Sequence, residues 1–265
     1  MADPMHQFQI HKVVDLPPVD VPGLGLLDLS ITNSVVSMLS AAALVVAFFA
    51  LAARGAVVPG RLQTVGEMIY GLVDDLAESM IGHEARKFFP FVFTLFIFIL
   101  AMNMLGMLNV VGLFHMFTAT SQLAVTVTLA LLTFIIVLIV GFARNGLGFY
   151  KLFVPSGVPW PLLFLMVPIE IISFLVRPLT LALRLFGNML GGHVVLKIFG
   201  GFVVSLGVLA AGGGLASLGY LGSAVSLGSV VALTALEFIV AFLQAFVFAA
   251  LTCVYLNDVV NLHSH

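Results

Sequence analysis

Long apolar runs separated by short polar segments dominate the chain. The first run extends from Asn33 to Ala53, and two more follow between residues 88 and 144. An α-helix rises about 1.5 Å per residue, so about 21 residues span roughly 30 Å, the thickness of the hydrocarbon core of a bilayer. The pattern predicts a first transmembrane helix over 33–54 and a transmembrane helical hairpin over 88–144.

Between these runs, residues 61–82 carry apolar and polar side chains on different faces of a predicted helix. The apolar face holds Leu62, Val65, Ile69, Leu72, Leu76 and Met80, and the polar face holds Gln63, Glu67, Asp74 and Glu78. This pattern is typical of an amphipathic helix that lies at the membrane interface. Because the polar face is acidic, docking onto another subunit is favoured over attraction to anionic lipid.

The last two apolar runs are longer than a membrane is thick. They cover 160–200 and 222–258. As straight helices their apolar stretches, about Pro161 to Phe199 and about Ser223 to Tyr255, would measure roughly 55–60 Å and 50 Å. A hydrocarbon core of about 30 Å requires both helices to tilt strongly or bend. We expect them to form a hairpin, with the first helix interrupted at Pro178 and at Gly191-Gly192.

Composition supports a membrane protein. The hydrophobic fraction is 62% and the charged fraction only 8%, far below the roughly 25% of a soluble domain. The net charge of -2 argues against nucleic acid as a partner. With residues 1–32 as a polar N-terminal arm, we predict an all-α membrane protein with about five membrane-crossing helices and one interfacial amphipathic helix.

Basic residues predict how the chain is oriented. Positive charges gather in cytoplasmic loops of membrane proteins. If the N-terminus faces outside, only Lys12 lies outside, and the five crossings return the C-terminus to the cytoplasm. The basic residues then placed on the cytoplasmic side are Arg54, Arg61, Arg86, Lys87, Arg144 and Lys151.

Several charged residues interrupt the two longest apolar runs. A charge at membrane depth costs about 2.5–3.5 kcal/mol on insertion scales, so it indicates function by default. In the first run Glu170, Arg177 and Arg184 follow one another at intervals of seven residues, which places them on one helical stripe. Asn188 lies one turn beyond this stripe, and His193 points roughly the opposite way. In the second run Glu237 and Gln244 share a face.

These side chains differ in what they can do with a proton. A guanidinium stays protonated in proteins, so Arg184 suits a fixed positive barrier that attracts a carboxylate. It has no carboxylate four residues away in its own helix, which indicates a partner on another chain. His193 and Glu237 can exchange protons, while Asn188 and Gln244 can bind water or orient a guanidinium.

Two further charges have structural interpretations. For Arg177, which lies just before Pro178, an ion pair with Glu170 is favoured over a direct transport role. Lys197 lies near the predicted helix end, where a long side chain can reach the interface. The single cysteine, Cys253, excludes an intrachain disulfide and is interpreted as a small buried residue.

The run from Arg177 to His193, RPLTLALRLFGNMLGGH, resembles the signature of subunit a of F-type ATP synthases. The later segment LQAFVF, from Leu243 to Phe248, is similar to the last helix of that family. The resemblance implies that Arg184 faces the ion-binding carboxylates of a rotating c-ring and separates two half-channels. It implies that Asn188 and Gln244 lie beside Arg184, and that His193 and Glu237 form the polar pair of an access channel. It also gives Glu170 and Arg177 supporting polar positions.

The resemblance also implies partners and location. The partners would be the c-ring, peripheral-stalk b subunits and membrane lipid, and the location would be a bacterial inner membrane or, alternatively, the mitochondrial inner membrane. The chain would be a non-catalytic subunit without metal or cofactor. Two other functions stay open: a secondary transporter with an intramembrane charged site, and a membrane scaffold with internally paired charges. The His–Glu pair favours H⁺ over Na⁺ as the ion.

Overall fold

Six α-helices make up most of the part of the chain that the structure describes. The computed structural model describes residues 11–15, 17, 19–21, 25–27, 30–53, 58–108, 118–154, 160–212 and 219–261. The helices are α1 (Asn33–Ala52), α2 (Arg61–Ile81), α3 (Ala85–Leu108), α4 (Leu123–Asn145), α5 (Trp160–Ala210) and α6 (Gly219–Val260). Arg54, one of the residues that predicted the orientation, lies outside the described residues.

Among the described residues, five helical segments are long and apolar enough to cross a membrane. They are α1, the run formed by α2 and α3, α4, α5 and α6. The prediction of an all-α membrane protein with about five membrane-crossing helices is therefore confirmed. The tilt of α5 and α6 and the orientation of the chain stay predictions.

The helix α5 is longer than the sequence pattern indicated. It contains 51 residues and includes both Pro168 and Pro178. The expected interruptions at Pro178 and Gly191-Gly192 were wrong, because the helix continues through both places. A proline removes one backbone donor, and membrane helices tolerate such breaks when neighbouring groups satisfy the freed carbonyl. The helix α6 contains 42 residues.

The polar arm before α1 contains short antiparallel strands. The strand β1 (Lys12–Val14) pairs with β4 (Ile31–Thr32), and β2 (Val19–Val21) pairs with β3 (Gly25–Leu27). At the start of α1 the Asn33 side-chain oxygen accepts hydrogen bonds from the backbone amides of Ser34 at 3.0 Å and of His11 at 3.4 Å, which joins the arm to the helix. The arm thus leads directly into the first membrane helix.

The helix α2 has one face packed against its own chain. Its buried residues are Gly66, Val73, Leu76, Ala77 and Ile81. Of the predicted apolar face only Leu76 is buried, whereas Leu62, Val65, Leu72 and Met80 are exposed. The buried stripe is therefore rotated from the predicted one, and α2 has apolar side chains left to contact lipid or another subunit.

Contacts between residues divide the chain into two compact units. The first unit contains Met1–Ala42, Ala101–Gln122 and Phe186–Leu243. The second unit contains Ala43–Leu100, Leu123–Leu185 and Gln244–His265. Each unit therefore holds one part of α5 and one part of α6.

The two units have cores of different composition. The core of the second unit contains large side chains that are almost fully buried, including Phe96, Phe149 and Phe248. Cys253 is also fully buried there, as the sequence predicted. The first unit contains more buried polar groups, among them Asn103, Thr118 and His193. Its Asn103 amide donates a hydrogen bond to the Ala241 carbonyl at 3.0 Å, which joins α3 to α6.

Candidate functional site

The two arginines of α5 within the second unit have different surroundings. The Arg177 guanidinium donates a hydrogen bond to Asp258 Oδ2 at 2.6 Å, and both side chains are about three-quarters buried, at 23% and 26% exposure. The guanidinium also lies 5.4 Å from the Phe174 ring centre and 5.1 Å from that of Tyr255. An ion pair and two cation–π contacts thus neutralise Arg177 and fasten α5 to α6.

The predicted pairing of Arg177 with Glu170 was wrong. Among the described residues the ion-pair partner of Arg177 is Asp258, and Glu170 forms no ion pair. Seven residues along a helix correspond to a rise of about 10 Å, so Glu170 starts far from the guanidinium although it shares the stripe. Asp258 approaches from the neighbouring helix instead. Charge spacing along one helix carries no information about such a partner.

Breaking the Arg177–Asp258 pair is expected to lower the stability of the chain. Arg177→Ala would leave the partly buried Asp258 carboxylate without its donor, at a cost of about 1–3 kcal/mol. The thermal denaturation midpoint of the protein in detergent should fall. Arg86→Ala is the control, because Arg86 is exposed and takes part in no ion pair within the described residues. An unchanged midpoint in Arg177→Ala would contradict a stabilising pair.

Arg184 differs from Arg177 in both exposure and pairing. Its side chain is exposed, and within the described part of the chain no carboxylate lies within ion-pair distance of it. Gln244, which lies in this unit and was also predicted for proton translocation, is buried at 5% exposure. The helix α5 therefore exposes the Arg184 guanidinium at its surface, whereas Arg177 is neutralised by its ion pair with Asp258.

In the first unit, Glu237 lines a groove of about 210 Å³ between α5 and α6. Both carboxyl oxygens are buried and have no hydrogen-bond partner among the described residues. The carboxyl group lies directly against Gly192, where a Cβ atom would overlap Glu237 Oε1 and meet Glu237 Cδ at 2.9 Å. The absence of a side chain at Gly192 is what leaves room for this carboxyl group. Asn188 also lines the groove.

His193 is buried in the same unit, at 5% exposure. Its Nε2 atom shares a hydrogen bond with the Thr118 hydroxyl at 3.2 Å. The described hydrogen bonds thus join His193 to Thr118 and not to Glu237, although Glu237 contacts the preceding residue, Gly192. Gly192, which lines the groove, precedes His193 in α5. The groove is lined by Glu237 and Asn188, whereas the imidazole bonds to Thr118.

Two residues of these arrangements were absent from the sequence prediction. Asp258 is a single acid in the last turns of α6, and only the approach of α5 and α6 gives it a role. Thr118 lies in a short polar segment between two apolar runs, where periodicity gives no signal. Both were detectable only from the packing of helices.

Comparison with known proteins assigns the family. A family model described as "ATP synthase A chain" matches residues 35–257. The chain belongs to this family. Proteins named ATP synthase subunit a are similar to it over nearly their whole length, and the matches cover 98–99% of both chains. They include those of Hyphomonas neptunium at 51% identity, Allorhizobium ampelinum at 50% and Maricaulis maris at 52%.

The ATP synthase A chain match covers every residue that the sequence singled out, from Glu170 to Gln244. The resemblance inferred from the signature around Arg184 is thereby confirmed. Family membership and the five candidate spans together make this a multi-pass membrane protein of the ATP synthase A chain family.

Proposed function

We propose that the chain is the proton-translocating stator subunit of a rotary ATP synthase. It provides two half-channels to the carboxylates of a c-ring, and Arg184 separates them. The observation that carries this proposal is the contrast between the two arginines of α5. Arg177 is paired with Asp258, whereas Arg184 is exposed without an ion pair in the described chain. A cation at membrane depth is costly without a counter-charge, and no described residue supplies one, so we infer that another subunit does.

The proposed cycle uses the difference between a neutral and a charged carboxyl group. Protons enter from outside near His193 and Glu237 and neutralise a ring carboxylate, which can then turn into lipid. At the stator, Arg184 stabilises the deprotonated form, so the next carboxyl group releases its proton into the second half-channel. Each proton that crosses gains roughly 2.3 kcal/mol per 100 mV of membrane potential. This chain performs no ATP chemistry itself.

The groove in the first unit supports an access path. It is lined by Asn188 and by a Glu237 carboxyl group that has no hydrogen-bond partner among the described residues. A buried carboxyl group without a hydrogen-bond partner is costly unless it binds water or is protonated. An access channel supplies both water and protons. Gln244 and Asn188 would orient water or the Arg184 guanidinium, as predicted from their residue types.

The glycines that follow Arg184 support a partner helix at close range. Gly187 and Gly191 are one turn apart on α5, and apart from the adjoining backbone of that helix no atom of the described residues lies within 4 Å of the position that a Cβ would take at either. Small residues at this spacing allow another helix to approach closely in a membrane. We propose that the c-ring occupies this surface. Peripheral-stalk b subunits and lipid would cover others, in a bacterial inner membrane with the N-terminus outside.

A cross-linking experiment tests this function against a secondary transporter, which would work alone. A photoreactive residue is placed at Thr180, which is exposed and lies one turn before Arg184. Leu175 is the control, because it is 57% exposed and nine residues from Arg184, on the opposite side of the helix. After illumination of the native membranes, Thr180 should cross-link to a small ring-forming subunit and Leu175 should not. Lipid adducts alone at both positions would contradict the proposal.

A further inference from the structure

We propose that Thr118 is a positioning residue, whose hydroxyl holds His193 by Nε2 and leaves Nδ1 as the nitrogen that exchanges protons. The inference rests on the proposed proton-translocating function and deepens it. The imidazole is 5% exposed and Thr118 is 6% exposed, so water cannot readily replace the bond between them. The ring has no other hydrogen bond to the described residues.

The backbone of Thr118 is fixed independently of His193. The Thr118 carbonyl accepts two hydrogen bonds from Ser121, one from its backbone amide at 3.1 Å and one from its hydroxyl at 2.6 Å. These bonds close the single 3-10 turn Ala119–Ser121 that precedes α4. The two hydrogen bonds from Ser121 therefore hold the segment that carries the Thr118 hydroxyl.

The helix α3 fixes the other side of the Thr118 side chain through Gly106. A Cβ atom at Gly106 would come within 2.5 Å of Thr118 Cγ2, 2.7 Å of Oγ1 and 3.0 Å of Cβ. Any larger residue there would have to push the threonine away. The backbone of α3 thus forms the surface against which Thr118 packs, and the hydroxyl is directed at the histidine.

A hydroxyl suits this task because its oxygen can accept a hydrogen bond from Nε2–H. When Nδ1 exchanges the proton, Nε2 keeps its own hydrogen in both the neutral and the protonated ring. The bond to His193 therefore persists when the ring gains or loses a proton at Nδ1. A side chain without an acceptor would leave the Nε2 hydrogen unpaired and would no longer hold the ring.

Thr120 provides a matched control two residues away. It belongs to the same turn and is fully buried, and its hydroxyl has no hydrogen-bond partner among the described residues. Replacing either threonine with valine keeps the shape of the side chain and removes the hydroxyl. Only the replacement at Thr118 removes a bond to His193.

The test measures ATP-driven proton pumping in inverted membrane vesicles, normalised to assembled complex. We expect Thr118→Val to slow pumping by roughly three- to tenfold, the effect of losing one net hydrogen bond. Thr118→Ser, which keeps the hydroxyl, should pump at close to the wild-type rate, and so should Thr120→Val. Equal rates in Thr118→Val and Thr120→Val would overturn the inference, and so would a Thr118→Ser protein as slow as Thr118→Val.

A second variant keeps the inference testable if Thr118→Val does not assemble. Gly106→Ala keeps the Thr118 hydroxyl but pushes it away from His193, so it should slow pumping by a similar factor. Wild-type pumping in Gly106→Ala would then count against the inference. Arg184→Ala serves as the reference for the function itself: if it cannot pump while Thr118→Val equals Thr120→Val, only the role of Thr118 fails. Normal pumping in Arg184→Ala would refute the proposed function.

Discussion

Glu237→Gln is expected to slow ATP-driven proton pumping by at least about tenfold. Glutamine has nearly the same shape as glutamate, so it fits the space beside Gly192, but it cannot take up and release a proton at physiological pH. A positioned proton-transfer group contributes roughly 10²–10⁴-fold to a rate, and water that enters the groove beside Glu237 would recover part of that loss. The rate is measured by dye quenching in inverted vesicles at equal amounts of assembled complex.

Two further variants separate the chemistry from the packing of α6. Glu237→Asp keeps a carboxyl group and should recover part of the pumping rate. Ser229→Ala is the control on the same helix, because within the described part of the chain the Ser229 hydroxyl bonds only to the Val225 carbonyl of its own helix, at 3.0 Å. It should pump normally. Wild-type pumping in Glu237→Gln would show that protons do not pass through this carboxyl group.

The membrane-spanning elements were predictable because they depend on local composition. A run such as Asn33–Ala52 is apolar over one bilayer thickness, and nothing distant is needed to identify it. The same local reasoning placed the start of α5 correctly at residue 160 but failed at its C-terminal end, because the helix continues to Ala210 through a glycine-rich sequence. It failed at Pro178 as well, because the cost of a proline depends on which neighbouring groups satisfy the freed carbonyl.

The candidate site was predictable only as far as residue type and spacing go. Arg184 and Glu237 were singled out because a charge is costly in an apolar run, and that argument needs no structure. The partner of Arg177 and the role of Thr118 depend on contacts between residues 81 and 75 positions apart. Sequence spacing within a helix cannot report such contacts. The empty space at Gly192 is likewise visible only beside the Glu237 carboxyl group.

Arg184→Ala is expected to have the largest effect of any single replacement in the chain. Without the guanidinium, a deprotonated ring carboxylate at the stator would lose its counter-charge, at a cost of about 2.5–3.5 kcal/mol. Since 1.36 kcal/mol corresponds to a factor of ten, pumping should fall by roughly 100-fold. Removal of the barrier should also let protons pass between the half-channels, so passive proton leakage through the complex should rise.

Because Arg184 is exposed and forms no ion pair in the described chain, its removal should leave the fold intact. Leu183→Ala is the matched control, since Leu183 is the adjacent residue and is 46% exposed. It should assemble and pump close to normally.

The measurement that tests the central claim most directly compares ATP-driven pumping and passive leakage in Arg184→Ala, Leu183→Ala and wild-type vesicles. The proposed role predicts an assembled Arg184→Ala complex that hydrolyses ATP, pumps roughly 100-fold more slowly than wild type and leaks protons. An Arg184→Ala complex that pumps protons at the rate of the Leu183→Ala complex would contradict it.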